Sequence, residues 1–254
     1  MPGPIQSIER AAAMLRLLGS AGRPLALGEL AAALDLPRPT AHGIVRTLRE
    51  VGFVDQDVAS SCYRIGSRLH RLGTAGWDRH DLRARAMNWA DSLAGSTGCA
   101  VYLGVPAGAA VSLVHHVFRP DGSPQRLRTN SEHPLHATAL GKCLLAFAPT
   151  ATPAPRELDL ERYTGRTCVT VAGLEAHLAS ARKRGCATDV GEFEPGIGGA
   201  AVPLRSAGGL AVGALGVAGP IEQLFGSGGE PRPRFLAELF GAAREISAAL
   251  GATW

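Results

Sequence analysis

The chain has 254 residues, 46% apolar and 19% charged, which is enough to build one large or two small packed domains and excludes global disorder. Its net charge of +4 is unevenly placed: residues 1–86 hold 12 arginines against 8 acids, whereas residues 87–254 hold 14 basic residues against 14 acids. Five scattered cysteines (Cys62, Cys99, Cys143, Cys168 and Cys186), never in Cys-x-x-Cys spacing, argue against a disulfide scaffold or structural metal site, and the Gly-rich apolar run Ser206 to Ile221 is shorter than the roughly 20 residues of a membrane span.

From Ile5 to Leu18, the apolar residues Ile8, Ala11, Ala12, Leu15 and Leu18 recur with a helical period, and Ser7 stands where an N-cap is expected. No basic segment followed by an apolar core and cleavage site marks a secretory signal here. A second short helix is expected through Leu27, Leu30, Ala31 and Leu34, with a turn at Asp35-Leu36-Pro37. A third runs from about Pro39 to Val51 and stops at Gly52. Two helices joined by so short a turn form a helix-turn-helix pattern.

On the third helix, Ala41, Ile44, Val45, Leu48 and Val51 share one side and are expected to pack inward. The opposite side carries Pro39, His42, Gly43 and Arg46, with Arg49 and Glu50 nearby. A basic outer face that is small at Gly43 suits a DNA major groove, where Arg46 can meet a guanine edge or a phosphate. Arg38 and Thr40 stand at the helix start, where backbone N–H groups favour phosphate. The competing reading is an amphipathic helix with a solvated basic face. The next residues favour DNA: Phe53 to Gln56 and Cys62 to Ile65 read as two short strands around a polar loop, the wing of a winged helix-turn-helix, which gives Arg64 a phosphate role.

Gly66 to Ser96 reads as helix with a break near Gly73–Asp78, and Leu82, Ala86, Trp89, Ala90 and Leu93 form an apolar stripe. Ala100 to Val105 and Ala110 to Phe118 are strand-like and joined by a hairpin, and Leu127 to Thr129 is a third short candidate. Helices are expected at Thr138 to Phe147, Leu174 to Arg184 and Pro233 to Leu250, with strands at Cys186 to Val190, Ala200 to Arg205 and Ala211 to Val217. The second part is therefore of the α+β class. His115 and His116 are neighbours on one expected strand and point to opposite faces, so they cannot easily share a metal ion. Neither metal nor cofactor is expected.

Several runs in order carry a resemblance. They are Ile5-Gln6-Ser7-Ile8-Glu9-Arg10-Ala11, Leu36-Pro37-Arg38-Pro39-Thr40-Ala41-His42, Arg46-Thr47-Leu48, Gly52-Phe53-Val54, His133-Pro134-Leu135-His136-Ala137-Thr138-Ala139-Leu140-Gly141-Lys142 and Glu192-Phe193-Glu194-Pro195-Gly196. Together they resemble the IclR family of bacterial transcriptional regulators. The resemblance implies a winged helix-turn-helix DNA-binding domain at residues 1–66, linker and dimerisation helices at 67–96, and a GAF-like effector-binding domain at 97–254. It implies a cytoplasmic homodimer or tetramer that binds palindromic operator DNA and acts as a repressor of a metabolic operon, with no membrane partner. Within the family, Ala41 to Leu48 and Val114 to Asp121 resemble an actinobacterial branch governing polyol genes, which implies a polyol or polyol phosphate as effector. An aspartate facing phosphate disfavours the second, and a site without any ligand is the remaining alternative.

The family's effector site maps onto Asp189, as the pocket carboxylate, and onto Ala139 and Leu140 at the pocket floor. Three positions depart from its pattern: Gly199 replaces a frequent cysteine, and Gly216 and Ala218 replace frequent serines. The pocket is thus expected to have lost three polar side chains and gained space, with further polarity from His116 or His136. The DNA-binding part departs as well. Ser61 and Cys62 stand where a glycine and a basic residue are usual, and Pro39 replaces a hydroxyl side chain, so weaker wing contacts are expected. Lys142 either faces the pocket or forms a structural ion pair, the latter being favoured. The competing function, a small-molecule enzyme built on the α+β part, requires a nucleophile and base, and no Ser-His-Asp or Cys-His arrangement is suggested locally.

Overall fold

Helix α1 (Gln6–Ser20) begins after Ile5 with no side-chain cap, so Ser7 is inside the first turn and does not cap it. Its packing is carried by Met14 and Leu18, while Ile8 is 63% exposed, contrary to the periodic stripe expected of it. Helices α2 (Leu27–Ala33) and α3 (Arg38–Glu50) close a small core with it, centred on Leu30, Ala41, Val45 and Leu48. Val51 is also a correction. The helix has ended there: Gly52 turns the chain at φ 75°, with Gly52 N–H donating to Arg49 O at 2.9 Å and Phe53 N–H to Leu48 O at 2.8 Å. Val51 is left 40% exposed by that turn.

Strands β1 (Val54–Gln56) and β2 (Tyr63–Ile65) form the antiparallel hairpin read as a wing, with Asp55 opposite Arg64. The computed structural model describes residues 5–21, 23–57, 60–66, 68–69, 79–207 and 209–252. The expected break near Gly73–Asp78 lies outside these. The chain divides into two units, residues 1–76 and 77–254.

The second unit is a six-stranded antiparallel sheet in the order β5-β4-β3-β8-β7-β6. Its strands are β3 (Ala100–Ala107), β4 (Ala110–Val117), β5 (Glu132–Pro134), β6 (Ala187–Val190), β7 (Ile197–Arg205) and β8 (Ala211–Pro220). The short third strand is thus Glu132–Pro134 rather than Leu127–Thr129, which pairs with nothing as a strand. Val101, Leu103, Val202 and Leu204 face one side, against α4 (Arg79–Thr97) and α8 (Pro233–Ala249). Val111, Leu113, Ala201 and Ala214 face the other, against α5 (Ala139–Phe147) and α6 (Val171–Arg184). The short α7 (Ile221–Leu224) follows β8. Helix α4 buries Leu82, Ala86, Ala90 and Leu93 in the second unit's core, but Trp89 is 41% exposed and does not join the stripe assigned to it. It falls one position short of the buried Ala90, on the neighbouring side of the helix.

The placement of α5 decides the geometry of the site. Thr138 Oγ1 accepts from Gly141 N–H at 3.0 Å, capping the helix, and donates to Pro134 O at 2.8 Å, tying the cap to β5. A Cβ on Gly141 would lie 2.4 Å from the Leu135 backbone, so only glycine lets the helix lie this close to the strand it follows.

Candidate functional site

Two candidate surfaces emerge, one in each unit. On α3, the outer face is solvent-exposed at Arg38, His42, Arg46 and Arg49, with Thr40 half-buried beside them. Among the described residues, Arg46 makes only an exposed contact to Glu50, at 3.7 Å. Arg49 Nη1 donates to Gln56 Oε1 at 2.6 Å and so braces the wing against the helix. Arg64 is exposed on β2. The six expected residues therefore share one unit, five on α3 and one on the wing. A Cβ on Gly43 would meet nothing within 4 Å, so the face is open there.

In the second unit, strand register assembles a cavity. Asp189, Gly199, Ala218 and Ala100 are successive partners across β6, β7, β8 and β3. Two residues along, Ala187, Ala201, Gly216, Tyr102 and His116 form a parallel row on the same face. Small residues in mid-sheet between Tyr102 and Asp189 leave a concavity, and Ala139 and Leu140 of α5 cover it. The resulting cavity, about 80 Å³, is lined by Asp189, Ala139, Leu140, Gly199, Gly216 and Ala218. Tyr102, Arg128, His133, Phe193 and Glu194 also line it and were not anticipated. Glu194 lies in a recognised run, and Tyr102 follows from strand alternation; Arg128 and His133 are reachable only through the fold.

Little free space remains directly beside the two glycines. A Cβ on Gly216 would lie 3.2 Å from Leu140 Cδ2, and one on Gly199 would lie 3.2 Å from Val217 O and 3.4 Å from Ala139 Cβ. Both α5 side chains and neighbouring strand atoms crowd these positions. His116 lines an adjoining cavity instead, stacked on Tyr102 with ring centroids 4.4 Å apart, and its Nδ1 accepts from Arg128 N–H at 3.2 Å. His136 faces away from the cavity, with Nε2 2.9 Å from Glu161 O.

Burial pushes the Asp189 carboxyl up to about 7, a shift that a hydrogen bond from Glu192 N–H to Oδ1 (2.7 Å) and the charge of Lys142 only partly oppose. Among the described residues, its Oδ2 has no hydrogen-bond partner, and the residue lines the cavity. Burial and the nearby Arg128 guanidinium lower both His116 and His133 to about 4, so both rings are neutral at physiological pH. Arg128 pairs with Glu194 at the cavity rim. Lys142 does not enter the cavity. Its Nζ meets Glu192 Oε1 at 2.6 Å with side chains 2% and 8% exposed, the structural ion pair expected for it.

The chain matches the IclR helix-turn-helix domain over residues 7–58 and the bacterial transcriptional regulator IclR C-terminal domain over residues 74–248. It is 48% identical over 248 residues to the glycerol operon regulatory protein of Streptomyces coelicolor, covering 98% of this chain and 97% of that one. The glycerol operon regulatory protein of Streptomyces griseus is 46% identical with the same coverage. The crystal structure of the Thermotoga maritima IclR, 23% identical, shares the fold with a TM-score of 0.60 over 97% of this chain and 99% of that chain.

Proposed function

The chain belongs to the IclR family of bacterial transcriptional regulators, and from that premise we propose that it represses a polyol-metabolism operon until a small hydroxylated effector enters the Asp189 cavity. It is a DNA-binding regulator with an effector-binding C-terminal domain, and its relatives are regulators rather than enzymes. Among the described residues, no helix is long and apolar enough to cross a membrane. A dimer or tetramer in the cytoplasm, with α3 in the major groove of each operator half-site, completes the reading. The observation that carries the effector class is the buried Asp189 carboxyl facing a cavity of about 80 Å³. That volume takes a ligand of a few heavy atoms, and the free carboxyl oxygen calls for a donor, which a polyol hydroxyl supplies. An anionic end group would have to point away from Asp189, toward Arg126 and Arg128 in the adjoining cavity.

The test is binding of the purified protein to its own upstream DNA at two salt concentrations, with glycerol and glycerol 3-phosphate as separate arms. Salt-sensitive, sequence-specific binding that one of the two polyols weakens is the expected result. Binding indifferent to sequence, or to both polyols, defeats the reading. If hydroxyls donate to ionised Asp189, effector affinity should rise about tenfold from pH 6 to pH 8, because the carboxyl deprotonates through about 7. Asp189→Asn keeps the acceptor for Glu192 N–H but should bind more weakly and without that pH dependence. Calorimetry at pH 6, 7 and 8 reads both, and a pH-dependent variant would contradict the assignment.

The DNA face has its own discriminating variant. Gly43 sits in mid-helix with open space beyond it, so Gly43→Ala should stabilise the first unit by about 0.5–1 kcal/mol through helix propensity. The same methyl would stand between α3 and the floor of the groove. Raised thermal stability with operator affinity lowered severalfold is expected; raised stability with unchanged affinity would mean that this face does not approach DNA closely.

A further inference from the structure

After β6 the chain turns at Gly191, whose φ of 75° lies in the region that glycine enters freely, so the turn alone does not fix which way the next peptide faces. That peptide joins Gly191 to Glu192, and its N–H donates to Asp189 Oδ1 at 2.7 Å. In a planar trans peptide the carbonyl points opposite to the N–H. The Gly191 carbonyl therefore faces away from Asp189, and there it accepts from Thr164 Oγ1 at 2.7 Å. The carboxyl and the threonine hydroxyl thus grip the two ends of one peptide unit. The next carbonyl, Glu192 O, accepts from Thr167 Oγ1 at 2.6 Å, and that hydroxyl in turn accepts from Thr164 N–H at 2.8 Å. Both threonines lie in the connection between α5 and α6, and neither is among the residues that line the cavity. Thr167 is buried and Thr164 half-buried, so the second can be altered with less risk to the fold.

We propose that Thr164 is the positioning residue for Asp189: its hydroxyl fixes the Gly191–Glu192 peptide so that the Glu192 N–H stays on the carboxylate, and Thr167 secures the peptide that follows. Any consequence for the effector rests on Asp189 being the effector carboxyl; the positioning of Asp189 does not. The Glu192 N–H is the largest influence holding that carboxyl down against burial. Lys142 of α5 acts in the same direction, and Glu192 and Glu194 of the turn act against it. Arg128 and His133 share the cavity with it. Replacing Thr164 removes none of these charges. Without the hydroxyl the peptide is free to rotate about Gly191, the carboxylate loses its donor, and its protonated form is favoured.

The test is a pH titration of the full chain by NMR of aspartate carboxyl carbons, with Asp189→Asn assigning the signal. Thr164→Val, which exchanges the hydroxyl for a methyl of similar size, should raise the Asp189 midpoint by at least about half a pH unit, as the loss of a hydrogen bond to a charged group requires. Thr164→Ala lacks the hydroxyl but sets no methyl against the Gly191 carbonyl, and should shift the midpoint the same way. Thr164→Ser should restore the parent value. A merely structural role would lower the melting temperature and leave the midpoint in place. Calorimetry at pH 7 with glycerol and glycerol 3-phosphate in separate arms should show binding weakened about twofold or more in Thr164→Val, because less of the carboxyl is ionised. A midpoint unmoved in both the valine and alanine variants overturns the proposal, as does a serine variant shifted as far as valine. If Asp189→Asn weakens polyol binding while the Thr164 variants shift nothing, the effector reading stands and the positioning falls. If the midpoint shifts and neither polyol responds to Asp189→Asn, the positioning stands and the effector reading falls.

Discussion

Replacing Lys142 with methionine should cost the second unit about 3–5 kcal/mol of stability, the largest effect expected of any substitution discussed for this chain. The lysine is 2% exposed and its ammonium lies 2.6 Å from Glu192 Oε1. Methionine fills nearly the same volume, so packing is not the source of the loss. Its source is the carboxylate left behind, buried and without a counter-charge, with Oε2 already lacking a donor. One control separates this from a generic core defect. The double variant Lys142→Met with Glu192→Leu removes both charges and should recover most of the loss, since a buried pair contributes little net stability over an apolar replacement. Urea unfolding of the four proteins of the cycle measures it. A double variant no more stable than the single one would show that the pair is needed for shape rather than for charge balance. A functional consequence follows from the same residue: Glu192 N–H orients Asp189, so a displaced Glu192 should weaken the effector response even where the fold survives.

What could be read from the sequence follows the range of the interactions. Helix α5 was legible because its signals are local: a threonine cap, an apolar run and a proline soon after its end. The sheet's alternation placed His115 and His116 on opposite faces, and His116 does stack on Tyr102 while His115 feels Arg83 and Asp91 of α4. Failures came where a residue's surroundings are set by distant chain. Ile8, Val51 and Trp89 each fit a helical stripe by spacing, but whether a stripe position is covered depends on the neighbour packed there, and none covers these in their own units. The partner of Lys142 lies 50 residues away, and Arg128 meets Glu194 across 66. Space at Gly199 and Gly216 could not be judged from residue size, because the atoms that crowd these positions come from neighbouring strands and from α5. One departure from the family's wing pattern has a backbone correlate: Ser61, at a position usually glycine, stands at φ 56°, in the left-handed region that glycine occupies without strain.

That strain bears on where DNA affinity should reside. Arg46→Ala is expected to weaken operator binding by about 10–100-fold, and to lower the salt slope by about 1 if the side chain grips phosphate rather than a base edge. Its only ion pair among the described residues, with Glu50 at 3.7 Å, is exposed and contributes at most about 0.5 kcal/mol, so the variant should fold as stably as the parent. Arg49 is committed to Gln56 and acts by holding the wing in place. Arg64 lies directly across the hairpin from Asp55, whose charge offsets its own, and the wing carries Cys62 in place of a basic residue. Arg64→Ala should therefore cost less than Arg46→Ala, by at least about threefold in affinity, at about 1.4 kcal/mol per factor of ten. Anisotropy titrations on one operator fragment, at matched salt, rank the two. If the wing variant loses more, affinity is anchored in the hairpin, and α3 serves only to orient it.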